Sequence, residues 1–412
     1  MNLQFRLAGP DDIFRLIELY HIVYNGAYPE PLMNHYGIMK KFLETPGSYW
    51  FIAEGKDSNQ KSDIVSSVVI QYDPENKLAK AFGAAVLETH RHQGLMESLL
   101  KHAIDYMQNH TNGADLVYAT TRTVHEGAQA LTERLGFKKL GIFPNSHKSL
   151  EYETHCLTAV YYRQAIENRF QNYSVHEKLR GLLAIVSEEI PSLSKLSFVD
   201  PEMPSKVLVE PPVLEMITSE HFVKYRYEKL KKEKELQFAF FPFHEPNTLV
   251  LSPDQSVEIF CYHSPGDAYS VIVGGKVDPT INYTPLFNTI ANLLRDRQAR
   301  YVEMLVRADK PKIIDSFLKA KFIPSAFFPA LQLRNGQRYD YVVMNKTFEI
   351  FDFQNIKLKG LNQKYLEEYF NHWKLSSLNP KMIQQLSTHP HEEYHRPSPV
   401  TLSPVVSPKR PS

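Results

Sequence analysis

The chain has 412 residues, 43% of them hydrophobic and 23% charged, which suits two compact domains with connecting segments. Lys and Arg total 47 against 46 Asp and Glu, so no net field selects a nucleic acid or a membrane surface as partner. Cys156 and Cys261 are too few for a disulfide framework, and neither a signal peptide nor a run of ~20 apolar residues occurs, so a soluble protein, cytoplasmic where it is made, is expected, with delivery to another cell as an exported effector left open.

In chain order, Leu3–Leu7 reads as a strand, and Gly9-Pro10-Asp11-Asp12 breaks it before a helix marked by Ile13, Leu16, Ile17 and Tyr20. A second helix is predicted over Leu32–Leu43. Strands follow at Tyr49–Ala53, Ile64–Tyr72 and Ala79–Leu87, with a hairpin turn over Gly55–Lys61 between the first two. A helix begins past Gly94, a strand covers Ala114–Thr121, and a helix over Glu126–Leu135 ends at Gly136. Lys138–Ile142 and Tyr152–Tyr161 close the unit as strands. The order β-α-α-β-β-β-α-β-α-β-β defines an α/β domain with a mixed sheet over residues 1–165.

Residues 166–236 read as a charged helical connector, broken by Pro201, Pro204, Pro211 and Pro212. The run Lys229–Glu235 is a solvated helix face. A second unit spans 237–358. Its strands are predicted at Phe238–Phe243, Thr248–Leu251, Val257–Tyr262, Ser270–Val277, Tyr301–Val306, Phe327–Leu333 and Tyr339–Asn345, with helices at Leu286–Arg297 and Pro311–Lys319. This order repeats the back of the first unit and suggests a tandem duplication. A helical segment at 359–388 precedes a Pro- and Ser-rich tail at 389–412, expected to be disordered; His389, His391 and His395 there form no metal-ligand pattern.

The chemistry concentrates between Ala84 and Met107. A strand ends near Leu87, the basic turn His90-Arg91-His92-Gln93-Gly94 follows, and a helix then carries Leu95, Leu99, Leu100, Ala103, Ile104 and Met107 on one face. Such a helix start offers free backbone N–H groups at the positive end of the dipole, a fit for a pyrophosphate. Gly94 removes a Cβ from the approach, and Arg91 adds a charge.

This segment resembles the acetyl-CoA signature of the GNAT family of N-acetyltransferases, (Q/R)-x-x-G-x-(G/A), with Arg91 and Gly94 on the first two marked positions and Met96 on the third, where the family has a small residue. A second stretch, His125 to Asn145, is similar to the family's N-x-x-A-x-x-x-Y-x-x-x-G-F motif. Ala128 and Gly136-Phe137 match it, His125 falls on the Asn position and Thr132 on the Tyr position.

The resemblance covers about residues 3–165 and implies a GNAT fold with acetyl-CoA as co-substrate. It implies cofactor contacts at Val86, Leu87, Arg91, His92, Gln93, Gly94, Leu95, Met96 and Ala128, with a thioester-polarising N–H from Val86 or Leu87. The family's Tyr protonates the departing thiolate. Thr132 is a poor acid in its place, and Tyr118 and His125 are alternatives. A base expected on the preceding strand is missing near Ala81 and Gly83, which leaves Glu88, His90 and His92. Cys156 reads as a packing residue.

In the second unit the stretch before Leu286 lacks the cofactor signature and contains Pro279 and Pro285, so this copy reads as degenerate. Arg307, Asp309, Arg338 and Asp340 read as structural ion pairs near strand ends. The expected function is direct acetyl transfer from acetyl-CoA to a primary amine. The alternative is a non-catalytic acyl-CoA-binding or protein-interaction module. The acceptor, the acyl chain length and the oligomeric state are not legible in the sequence.

Overall fold

A computed structural model describes residues 3–26, 31–56, 62–110, 113–148, 152–202, 208–351, 353 and 356–377. The predicted turn at 57–61 and the tail at 389–412 lie outside the described residues.

The first half contains β1 (Gln4–Leu7), α1 (Ile13–Tyr24), α2 (Tyr36–Glu44), β2 (Ser48–Lys56), β3 (Ser62–Asp73), β4 (Leu78–Val86), α3 (Leu95–Asn109), β5 (Leu116–Arg122), α4 (Gly127–Arg134), β6 (Lys138–Lys148) and β7 (Tyr152–Tyr161). This is the predicted order. The second helix starts later than expected, because Pro31–Met33 forms a separate 3-10 turn.

Next come β8 (Ser174–His176), α5 (Arg180–Glu189), β9 (Ser197–Val199), β10 (Glu215–Thr218) and α6 (Glu220–Lys232). The segment 166–236 is thus not purely helical. β8 and β9 pair in parallel as a small separate sheet, and β10 joins the main sheet. The second half continues with β11 (Thr248–Leu251), β12 (Val257–Ser264), β13 (Tyr269–Val277), α7 (Tyr283–Asp296), β14 (Tyr301–Arg307), α8 (Pro311–Lys319), β15 (Ile323–Arg334), β16 (Gln337–Thr347) and α9 (Leu361–Ser377).

Among the described residues, one 14-stranded sheet runs β1-β2-β3-β4-β5-β7-β6-β15-β16-β14-β13-β12-β11-β10. Read outward from the junction, β15-β16-β14-β13-β12-β11-β10 repeats β6-β7-β5-β4-β3-β2-β1. Each half has one parallel contact at the same place, β4 with β5 and β13 with β14.

The predicted strand at Phe238–Phe243 is absent. Its aromatic composition favours a strand, but Pro242 lacks an N–H and the segment crosses β13 instead of pairing along it. The aromatic side chains are used for packing: Phe238 against Phe287, Phe240 against Tyr341, and Phe243 against Tyr118.

At the junction Gly141 faces Ala326, where a Cβ on Gly141 would come within 2.3 Å of the Ala326 Cβ. α9 spans the seam, with the Tyr365 hydroxyl donating to Lys139 O at 2.9 Å and Tyr369 to Asn345 Oδ1 at 2.7 Å. A single apolar cluster runs from Leu140, Ile142 and Leu157 to Phe327, Val342 and Met344, so the halves share a core. Smaller clusters sit under α3 and under α1 with α2.

The strand-end charges are ion pairs, as expected. Arg307 meets Asp309 at 2.5 Å, and buried Arg169 holds buried Asp340 at 2.8 Å. Arg338, also buried, reaches across the halves to Asp115 at 2.7 Å and to the carbonyl of Asn76 at 2.8 Å. Among the described residues, no helix is long and apolar enough to cross a membrane.

Candidate active site

The site begins where two strands part. β4 and β5 pair only from Leu78 with Leu116 to Ala81 with Ala119. Beyond Ala81, β4 stays with β3 through a bulge, and β5 stays with β7 as far as Arg122. The strands therefore open as a V. Gly83, at the bulge, has φ +63°, and a Cβ there would come within 2.4 Å of the Met33 side chain.

Leu87 N–H donates to Val65 O at 2.9 Å, so it is spent within the sheet. By the alternation of an antiparallel pair, Ala84 and Val86 then turn their N–H and C=O groups away from β3 and into the V. Both carbonyls are held: the Tyr24 hydroxyl donates to Ala84 O at 2.9 Å and Arg91 Nε to Val86 O at 3.2 Å. Of the two expected thioester donors, only the Val86 N–H faces the opening.

A 3-10 turn at Glu88–His90 leads to left-handed residues His92 (φ 61°) and Gly94 (φ 73°), and α3 starts at Leu95. The first bond of the helix is Ser98 N–H to Gly94 O at 3.0 Å. Among the described residues none accepts a hydrogen bond from the N–H groups of His92 to Glu97, as expected of a turn and a first helical turn. A Cβ on Gly94 would meet nothing within 4 Å, so the space before the helix start is open. Together with the dipole of α3 and exposed Arg91, this turn fits a pyrophosphate group.

The predicted residues divide clearly. Arg91, His92, Gln93 and Gly94 are exposed on the turn, with Met96 half-buried and Leu95 buried at the start of α3. Ala128 is half-buried on α4. Glu88 is exposed at the start of the 3-10 turn and His125 is exposed on a loop, while His90 is buried with Nδ1 2.9 Å from Thr89 Oγ1. Thr132 is buried, and its hydroxyl donates to the carbonyls of Ala128 and Gln129 at 3.2 and 3.0 Å, inside its own helix. Tyr118 packs edge-on to Phe328 in the shared core, where burial raises its pKa far out of use. Cys156 is fully buried and its thiol is pushed up to about 12, as befits packing.

Sequence reasoning missed Tyr24 and the cluster Arg122, Glu153 and His155. Arg122 grips Glu153 with two bonds of 2.6 and 2.5 Å, and His155 Nε2 lies 3.6 Å from Glu153 Oε2. Burial would raise the Glu153 carboxyl, but His155 and Arg122 outweigh it and hold the group at about 2. The spacing of Glu153 and His155 on one face of a strand was the available signal. Their pairing with Arg122 is a matter of register between β5 and β7, which local pattern does not carry.

The second half makes the same V from β13 and β14, parted after Ile272 and Met304, and closes it with its own chain. Gln237 donates its backbone N–H to Gly275 O at 2.7 Å and its side-chain amide to Val277 O at 2.6 Å. Gly274 lets the Phe238 carbonyl approach; a Cβ there would lie 2.3 Å from it. The turn before α7 is likewise spent. Thr280 and Ile281 N–H go to Asp278, Asn282 N–H to Val209 O, and Thr284 N–H to the Asn282 side chain. Pro279 and Pro285 have no N–H to offer.

Residues 12–137 match the model of the acetyltransferase (GNAT) family. No curated protein matches the chain. Among solved structures, NAA60 of Arabidopsis thaliana in complex with a bisubstrate analogue is 16% identical, with 39% of this chain and 99% of that one covered and a TM-score of 0.34. A putative phosphinothricin N-acetyltransferase is 20% identical over 39% and 99% of the chains, with a TM-score of 0.32. The ribosomal-protein-S5-alanine acetyltransferase of Vibrio fischeri is 17% identical over 39% and 93%, with a TM-score of 0.34. Over residues 12–137, the chain carries a domain of the GNAT acetyltransferase family.

Proposed function

We propose that the first half binds acetyl-CoA and transfers its acetyl group directly to a primary amine, without a covalent enzyme intermediate. The observation that carries this reading is the open turn at Arg91–Met96, set directly before the V that keeps the Val86 N–H facing inward. The N–H groups of His92 to Glu97 would hold the pyrophosphate, and Ala128 would flank the cofactor from α4. Acetyl-CoA supplies the thioester. The Val86 N–H would polarise its carbonyl, the role of a preorganised oxyanion donor. Val86 takes this role rather than Leu87, whose N–H is engaged by Val65.

The second half, with the β13 edge of its V occupied by Gln237 and its turn spent, would be a closed copy of the same fold that buttresses the first. A non-catalytic acyl-CoA binder is the second reading, and the inward-turned Thr132 hydroxyl favours it. Turnover against a panel of amines separates the two. Calorimetric titration of acetyl-CoA into the full chain and into a Gly94→Trp variant tests the first step. Micromolar binding by the parent and none by the variant is expected; no binding by the parent would remove both readings.

A further inference from the structure

We propose that Tyr24 is the acid that protonates the departing CoA sulfur, an inference that rests on the acetyl transfer proposed above. The position that the family resemblance offers for this acid is occupied by Thr132, whose hydroxyl is committed to its own helix. Tyr118 is sealed in the core against Phe328, and His125 sits on an exposed loop. A donor must instead be sought at the edge of β4, where the thioester would lie.

Tyr24 is the side chain found there. It ends α1, and its hydroxyl lies 2.9 Å from Ala84 O, on the same inward-facing edge as the Val86 N–H two residues on. The ring stacks on Tyr20, centroids 6.2 Å apart and planes within 9° of parallel. Tyr20 is in turn fully buried and bonded to Ser67 and to the carbonyl of Gly83, so the platform is rigid. Burial raises the pKa of Tyr24, so the proton is in place at neutral pH, while the charges of Arg122 and Arg91 oppose that rise and would steady a phenolate.

The second half provides an internal comparison. Gly275 stands three residues beyond the last parallel pair of β13, as Ala84 does on β4. Its carbonyl also receives a hydrogen bond, but from the Gln237 backbone N–H, whose proton is not acidic enough to transfer. The closed V carries an amide where the open one carries a phenol.

In the step itself the amine nitrogen bonds to the acetyl carbon, the C–S bond breaks, and its electron pair goes to sulfur. The Tyr24 O–H swings from its acceptor, Ala84 O, to that sulfur and gives it the proton, and the phenolate recovers the proton that the nitrogen loses as the amide forms. Nothing else is consumed.

The test is Tyr24→Phe in the full chain, which removes one oxygen. With acetyl-CoA and an accepted amine, kcat should fall about 100-fold or more. The Kd for acetyl-CoA should stay within about twofold, and the melting temperature should fall by no more than about 2 °C, the loss of one hydrogen bond. The selenoester analogue of acetyl-CoA provides a readout that a structural role would not move. Its selenolate leaves without a proton, so parent and Tyr24→Phe should then turn over within a few-fold of each other. A variant as fast as the parent with the thioester would overturn the assignment, as would an equal loss with thioester and selenoester. A parent that binds acetyl-CoA but acetylates no amine would instead defeat the transfer reading on which this one stands.

Discussion

Arg338 belongs to the second half but acts on the closed end of the V in the first. Its guanidinium donates to Asn76 O, just before β4, to the Asp115 carboxylate, just before β5, and to Ala330 O beside it, at 2.7–2.8 Å. It therefore ties together the two points from which the strands diverge. Replacing Arg338 with Met keeps most of the volume and removes the clamp. Hydrogen bonds to a charged group contribute about 1.5–3 kcal/mol each, and breaking a buried ion pair costs about 3–5 kcal/mol. Asp115 is 13% exposed and partly recovers its hydration, so the loss should fall near the lower end, about 3–4 kcal/mol. For 412 residues the unfolding entropy is about 0.9 kcal/mol/K, so the melting temperature should drop by roughly 3–5 °C. Scanning calorimetry measures this, and an acetyl-CoA titration at 20 °C should show several-fold weaker binding, because the V loses its anchor. A melting temperature within 1 °C of the parent would refute the energetics. A full drop with unchanged binding would refute the link from clamp to cleft.

Glu153→Gln should destabilise the chain at neutral pH and become indistinguishable from the parent in strong acid. The folded carboxyl, near 2, lies below its unfolded value, so its contribution is present above about pH 4.5 and is lost as pH falls towards 2; urea midpoints across that window give the check. Gly141→Val should be far more damaging than an exposed glycine substitution. The new Cβ meets the Ala326 Cβ and the Ser325 carbonyl within about 2.4 Å, with backbone on both sides unable to yield, and a loss of soluble expression or at least ~2 kcal/mol by denaturation is expected.

Much of the first half was legible because its signals are local. The Val- and Ile-rich run of β3 and the Leu95–Met107 stripe are local to each element, and Gly94 marks the helix start through its left-handed φ. The left-handed turn at His92–Gly94 was readable for the same reason. What escaped lies between elements. Tyr24 reads as one more residue of an amphipathic helix, and only the packing of α1 across β4 brings its hydroxyl to Ala84. Phe238–Phe243 has the composition of a strand, and nothing local says that Gln237 will spend its amides on Gly275 and Val277. The segment 166–236 looked like a connector because β10 is four residues long and finds its partner, β11, only after α6.

The seam between β6 and β15 bears on how the chain is made. β6 emerges from the ribosome some 175 residues before β15, roughly 10–35 s at ordinary elongation rates, and in that interval it is the outer strand of a nearly complete sheet. Leu140 and Ile142, which end in the shared core, have no cover yet, and the backbone edge is open to any passing strand. The first half is therefore the part of the nascent chain most in need of protection by a chaperone. A chain cut at 165 would carry the V-shaped cleft but keep that edge open for good, so association in solution, rather than loss of the cleft, is what would limit its use.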